Sequence, residues 1–294
     1  MRYTAAFKIC VLSNQPERFT MLEPAELRQC ALDCLLERDP TRKTALVAAL
    51  ADRLAAGSVR IDADAVIGMD GAVADAIPGR PARPELVAPR LVGRRSMVTV
   101  EGRAMLVHAL AHIEFNALNL ALDAVARFAG LPEQYYRDWF SVAAEEAGHH
   151  AMLVAHLAVL GHIYGDFPAH DSLWEMVSKT NGDVLARMAL VPRTLEARGL
   201  DAIPPLRAKL AQAGDMAAAA ILDIILRDEV GHVVIGNHWY GYLCAQRGLA
   251  PGPTYAKLSV EYAAPVLRGP FNLEARRRAG FTDAELAQMQ SLQD

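Results

Sequence analysis

Cysteine is scarce: the chain has four, Cys10, Cys30, Cys34 and Cys244, and no two form a metal-finger spacing. That excludes a disulfide-stapled scaffold or a thiolate metal cage and suits a reducing compartment. Cys30 and Cys34 stand one helical turn apart, as ordinary core residues do. Aromatic residues make up only 6% of the chain, whereas alanine is abundant. This balance argues against a sheet sandwich and for closely packed helices. Positive charge is not in excess, with 30 Lys and Arg against 34 Asp and Glu, a net charge of -4. A global field that would attract nucleic acid is therefore missing, and the short run Arg276-Arg277-Arg278 reads as a solvated helix face. Long apolar runs are lacking too. The N-terminal stretch MRYTAAFKICVLSNQPERF has no signal-peptide core, and no later stretch reaches about 18 uninterrupted apolar residues. The expectation is a soluble, cytoplasmic protein with no membrane partner.

What is present is helical periodicity. The apolar fraction of 52% is ample for a large core. Residues 1–95 read as an accessory region, with one helix after Pro24 and a second opening at Asp39-Pro40-Thr41, where Asp caps and Pro takes the first helical position. The stretch Ile77-Pro78-Gly79-Arg80-Pro81-Ala82-Arg83-Pro84, with Pro89 beyond it, cannot continue a helix and is expected to be a linker or surface strap. Residues 96–250 then hold four long helical patterns: 100–129, stopped by Gly130; 132–161, from Pro132 to Gly161; 172–198, with Pro192 inside and Gly199 after; and a fourth from Gly214-Asp215 to Gly248. Helices of roughly 27 to 33 residues span about 40 to 50 Å. Residues 251–294 form a C-terminal extension ending in a helix announced by the capping box Thr282-Asp283-Ala284-Glu285.

Chemistry enters with a repeat. Glu145-Glu146-Ala147-Gly148-His149 on the second long helix is echoed by Asp228-Glu229-Val230-Gly231-His232 on the fourth. A Glu and a His three residues apart share a helix face, so both can reach one metal. One such pair means little: 16 Glu and 9 His in 294 residues give 16 × 9/294, about half of one match by chance. The repeated acid-Glu-x-Gly-His pattern, placed mid-helix twice, means more. Each glycine costs its helix roughly 1 kcal/mol relative to alanine, so close packing or small-molecule access is expected beside it. Positions one or two turns away are apolar, Trp139, Val142 and Leu153 in one helix and Leu222, Ile225 and Leu226 in the other, which puts both glutamates on the core stripe. A buried carboxylate has to be protonated, paired or bound to a cation.

Glu114 interrupts the stripe of Leu110, Ala111, Ala117, Leu118 and Ala121 on the first long helix. It lies 130 - 114 = 16 residues before Gly130, and Glu146 lies 146 - 132 = 14 after Pro132, so the two face each other at nearly one level. The third helix offers two acids. Asp183 matches by level and Glu196 by spacing, since 229 - 196 = 33 resembles 146 - 114 = 32. His108 and His112 could add a ligand pair but read more simply as satisfied core groups. Tyr135, Tyr136, Trp139, Trp239 and Tyr240 read as packing residues, with a redox role as the alternative. Mixed Glu/His ligation suits iron or manganese, and two reduced ions with open positions can activate dioxygen or peroxide.

The assembled pattern, Glu114, Glu146-x-x-His149, an acid on the third helix and Glu229-x-x-His232, resembles the ferritin-like di-iron carboxylate superfamily. Within it, Glu101-Gly-Arg-Ala to Ala-His-Ile-Glu114, Leu-Val-Pro-Arg-Thr-Leu-Glu196-Ala-Arg-Gly and Arg-Asp-Glu229-Val-Gly-His232 are similar to an uncharacterised bacterial ferritin-like family of unknown function, from about Pro78 onward. Thr-Leu-Glu196-Ala-Arg198 is also similar to the third helix of the ferritin-like tRNA hydroxylases that modify a hypermodified adenosine. The resemblance implies an all-α, ferritin-like four-helix bundle with the accessory helices and short C-terminal helix added. It implies two metal ions, iron foremost, with manganese or a mixed Mn/Fe pair as alternatives. It favours Glu196 over Asp183 and so implies the ligands Glu114, Glu146, His149, Glu196, Glu229 and His232, with Glu146 and Glu229 as bridges. It casts Glu145 and Asp228 as orienters of the opposite histidines, which accords with the habit of metal-bound His to donate its other N–H to a carboxylate. The implied function is an oxidoreductase, such as a hydroxylase or oxidase, acting with dioxygen or peroxide on a small molecule. A non-catalytic metal-binding or iron-storage protein is the alternative. A tRNA base is the one nucleic-acid partner implied, and a homodimer is a possible assembly.

Overall fold

The computed structural model describes residues 25–93 and 96–291, so Cys10 and the stretch read for a signal peptide lie outside it. The described chain is mostly helical, in keeping with the all-α expectation. A two-residue parallel ladder, β1 (Ala25–Glu26) on β2 (Val59–Arg60), is its one named sheet. The helices are α1 (Leu27–Leu36), α2 (Pro40–Ala55), α3 (Gly71–Ala76), α4 (Val100–Arg127), α5 (Glu133–Val159), α6 (Ser172–Lys179), α7 (Val184–Leu190), α8 (Ala197–Gln212), α9 (Met216–Gln246), α10 (Pro251–Glu261), α11 (Leu273–Arg278) and α12 (Asp283–Ser291). A π-helical segment, Val191–Glu196, joins α7 to α8.

Local chemistry explains most of the boundaries, because the first free amides of a helix need acceptors. Thr99 Oγ1 accepts from the Gly102 N–H at 3.0 Å and starts α4. Asp39 accepts from the Arg42 N–H at 2.9 Å, with Pro40 in the first turn of α2. Asp215 accepts from the Ala218 N–H at 3.0 Å and starts α9. Past the end of α4, Gly130 takes φ +72°, which costs glycine little. The capping box at α12 forms, with the Thr282 N–H donating to Glu285 at 2.9 Å.

The third long helix departs from the expected 172–198. Its first part is a separate helix, α6. The chain then turns at 180–183, and Asp183 caps α7 by accepting from the Leu185 N–H at 3.0 Å. Pro192 has no N–H to donate and its ring would collide with the carbonyl one turn back, so the helix widens into the π-helical segment instead of stopping. Gly199 is no terminus either: it lies inside α8, which runs on through Pro204 and Pro205.

α4 is the buried centre, packed against α5, α1 and α6, while α9 packs against α8, α5 and α7. Among the described residues α4 is the one helix long and apolar enough to cross a membrane, and 83% of its apolar window is buried inside the fold. Arg28 of α1 donates to the Ala126 carbonyl at 2.9 Å and so satisfies the frayed end of α4. Inside, Asp123 is paired with Arg187 and Arg127, each at 2.6 Å. Buried Lys43 donates to the carbonyls of Leu35 (3.1 Å) and Gly79 (3.0 Å) and to Asn119. The proline-rich segment crosses the surface outside regular helix up to a short 3-10 turn, Pro89–Leu91. It is tied down by Arg80, which forks onto Asp171 at 2.7 and 2.8 Å, and by Val87, whose N–H donates to Ala169 at 2.8 Å. Of the three arginines read as a solvated face, Arg277 and Arg278 are exposed, but Arg276 is completely buried.

Candidate metal centre

α5 and α9 each turn a Glu and a His from the repeated motif into the interior, and Glu146, His149, Glu229 and His232 are all buried. Two groups of donor atoms result, Glu114 with Glu146 and His149, and Glu146 with Glu229 and His232, each with its atoms within 4.8 Å of one another. Glu146 is common to both. Glu229, expected as a second bridge, belongs to one group only.

The histidines are arranged reciprocally. His149 Nδ1 faces Glu114 Oε2 (3.1 Å) and Glu146 Oε2 (3.4 Å), while its Nε2 lies 3.1 Å from Asp228 of α9. His232 Nδ1 faces Glu146 Oε1 (3.0 Å) and Glu229 Oε2 (3.8 Å), while its Nε2 lies 2.7 Å from Glu145 of α5. Each helix thus lends an outer carboxylate to the other's histidine, which fixes the ring and leaves Nδ1 pointing inward.

Several inward atoms have nothing to bind. Glu146 Oε1, Glu229 Oε2, His232 Nδ1 and both oxygens of Glu196 are buried and make no hydrogen bond. The His232 Nδ1 and Glu146 Oε1 atoms are close, at 3.0 Å, yet not aligned for a hydrogen bond. Unsatisfied buried polar atoms are costly, and the three of these that fall in one donor group fit a cation. Glu196 lies outside both groups, and its buried carboxyl sits in the field of Glu146 and His232. Asp183 joins neither group; besides capping α7, it pairs with Arg247 at 2.8 Å. His112 is occupied as well, Nδ1 by the Tyr164 hydroxyl (2.8 Å) and Nε2 by Asn116 (3.0 Å). His108 Nε2 accepts from the Gly165 N–H at 2.9 Å.

Electrostatics sets where protons sit. Burial, with the charge of Glu146, pushes the Glu114 carboxyl up to about 8. The same two causes push Glu196 up to about 8 and Glu229 well above the carboxylate range. Burial opposes the charge on Glu146 too, but His149 and His232 outweigh it and hold this carboxyl below its ordinary range. Against burial, Glu114 and Glu146 raise His149 to about 11, and Glu145 and Glu146 raise His232 well above its ordinary value. Near neutral pH the metal-free cluster therefore holds protons that an incoming cation must displace.

A pH dependence follows. Glu114 and Glu196 bind protons more tightly folded, at about 8, than at the ordinary 4.5, so their contribution to stability is full below 4.5 and is lost as pH rises through 8. Lys43, pushed down to about 7 by burial, acts in the opposite sense only above that pH. His112 and His150, pushed down by burial to about 3 and about 4, oppose only below the ordinary 6.5, two groups against the three raised carboxyls Glu114, Glu196 and Glu229. The melting temperature of chelator-treated protein should therefore fall between pH about 5 and about 7, and the rise on adding ferrous or manganous ion should grow over the same range. A flat or rising metal-free melting curve would contradict protonated carboxyls at this site.

The motif glycines divide differently from expectation. A Cβ on Gly148 or Gly231 would meet no atom within 4 Å beyond the local helix backbone, and both positions are exposed, so close packing does not explain them. Gly236 is tight instead. A Cβ there would collide with Pro192 Cβ at 2.5 Å, whereas one on Gly199 would make an ordinary contact with the Glu229 carboxylate at 3.7 Å. The sequence holds no local signal for either contact.

Residues 36–287 match the family described as "Protein of unknown function (DUF455)". A Haemophilus influenzae protein described as an uncharacterized protein is 51% identical over 219 residues, covering 72% of this chain and 76% of that protein. No solved structure matches the chain.

Proposed function

The chain belongs to the DUF455 family of proteins of unknown function, so its chemistry has to be argued from its own side chains, and we propose a ferritin-like di-metal carboxylate protein that carries out an oxidoreductase reaction, such as a hydroxylation or oxidation, with dioxygen or peroxide. The observation that carries this reading is Glu146, shared between two buried Glu/His groups, with inward atoms of Glu146, Glu229 and His232 in the second group lacking hydrogen-bond partners. In this reading α4, α5, α9 and the segment joining α7 to α8 would each contribute one glutamate, as the helices of a ferritin-like four-helix bundle do.

Glu114 and His149 would hold one ion, Glu229, His232 and Glu196 the other, with Glu146 between them. Four carboxylates and two divalent ions cancel, 4 × (-1) + 2 × (+2) = 0, so the loaded centre would be neutral in apolar surroundings. Glutamate and imidazole donors suit iron or manganese, and such ions supply activation of dioxygen or peroxide. The protein's part is to keep each Nδ1 free by holding Nε2–H on Asp228 or Glu145, and to exclude water by burying the donors.

Anaerobic loading with ferrous ion followed by metal analysis tests the claim, with two ions per chain expected. Mixing the loaded protein with dioxygen or peroxide should then change its optical spectrum. Two bound ions that ignore both oxidants would leave a non-catalytic metal-binding or storage protein. No bound metal would overturn the proposal.

A further inference from the structure

Glu196 is surrounded by an unusual grip. Its own carboxylate makes no hydrogen bond, yet the chain on both sides of it is held by residues of the C-terminal extension, 251–291, helped by α9. Three residues earlier, the Arg193 guanidinium lies over the rings of Tyr240 (5.2 Å), Tyr255 (5.2 Å) and Phe281 (4.9 Å). It donates to Asn237 Oδ1 at 2.5 Å and to the Glu285 carboxylate of α12. Thr194 shares a hydrogen bond of 2.9 Å with the Tyr255 hydroxyl of α10. On the other side, Arg276 of α11 donates to the Ala197 carbonyl at 3.1 Å and forks onto Asp201 at 3.0 and 2.5 Å. Asn272 donates to the Leu200 carbonyl at 3.2 Å.

An extension that merely covered apolar surface would not need this chemistry. Burying a guanidinium is expensive, and apolar residues of similar volume commonly serve stability as well or better. Here two buried arginines, Arg193 within it and Arg276 from α11, hold a short stretch of chain that also contains a π-helical turn, where carbonyls leave the regular ladder. We propose that the C-terminal helices are a clamp that positions Glu196, with the caged Arg193–Glu285 pair as its pivot. The clamp's purpose rests on the reading of Glu196 as a metal ligand; its existence does not.

The test uses the full chain with Arg193→Met and Glu285→Gln, the second being milder because Glu285 is at the surface edge, and Arg193→Lys, which keeps the charge and loses the planar fork. In metal-free protein, hydrogen exchange over 190–201 should speed up about tenfold in Arg193→Met and Glu285→Gln, and less in Arg193→Lys, while exchange over 140–150 of α5 stays put. In cobaltous or ferrous titrations the same variants should bind one ion about tenfold more weakly, the scale of losing an outer support, and the other ion unchanged. Unchanged exchange over 190–201, or an equal rise in α5, overturns the clamp. Metal affinities identical to wild type, or equal loss of both ions, overturn its role toward Glu196. If wild-type protein takes up no metal, the ligand reading fails, and the exchange measurement still decides the clamp.

Discussion

Glu146→Gln should abolish uptake of both metal ions, whereas Glu114→Gln and Glu229→Gln should each leave one ion in place. The asymmetry comes from Glu146 alone being common to the two groups of donors. Glutamine keeps the shape and removes the charge, so the loss reports electrostatics rather than a cavity. The same change should also weaken the metal-free protein. Glu146 is the carboxyl held ionised by His149 and His232, and without it two buried imidazoles raised toward their charged forms lose the carboxylate they share and keep only the outer ones, Asp228 and Glu145. Breaking one side of a buried pair costs about 3–5 kcal/mol. Metal analysis and chemical denaturation of the stripped variant check both parts, and a Glu146→Gln chain that still carries two ions would remove Glu146 from the centre of the site.

The second large effect separates glycines that look alike in sequence. Gly236→Ala should destabilise the protein by about 1–3 kcal/mol, because its Cβ would fall 2.5 and 2.8 Å from two Pro192 carbons and the π-helical segment would have to move. Gly148→Ala and Gly231→Ala should instead stabilise by up to about 1 kcal/mol each, since nothing stands in the way and alanine favours a helix. Denaturation midpoints of the three variants decide the matter. A Gly236→Ala protein as stable as wild type would mean that Pro192 does not lean on α9 as described.

These cases show why part of the molecule could be read in advance. The Glu/His pairs were legible because a helix puts residues three apart on one side, and Glu114 because one acid interrupts an otherwise apolar stripe. Helix starts at Thr99, Asp39 and Asp215 follow from contacts of two or three residues' range. The third long helix was not legible to the same degree. Gly199 resembles a helix stop, yet α8 runs on through it beside the Glu229 carboxylate, thirty positions away, 229 - 199 = 30. Asp183 resembles a ligand by level until α6 is known to end before it. Arg276 belongs to a basic triplet that looks uniformly solvated, and only the placement of α11 against Ala197 and Asp201 sets it apart. The neighbours of Gly199 and Arg276 are remote in sequence, where composition and periodicity carry no information, whereas Asp183 is decided locally, by the cap it makes on Leu185.

The crossed carboxylates of α5 and α9 do more than orient two rings. Around its motif α5 is a run of small side chains, Ala143, Ala144, Ala147 and Gly148, and smooth helices of that kind offer few ridges to fix how far one has slid along another. Glu145 to His232 and Asp228 to His149 supply that missing ruler. A slip of one turn, about 5.4 Å, would break both links together and leave charged groups buried alone, so the two helices can meet in a single register. The alignment of the centre is thus written into the protein before any ion arrives.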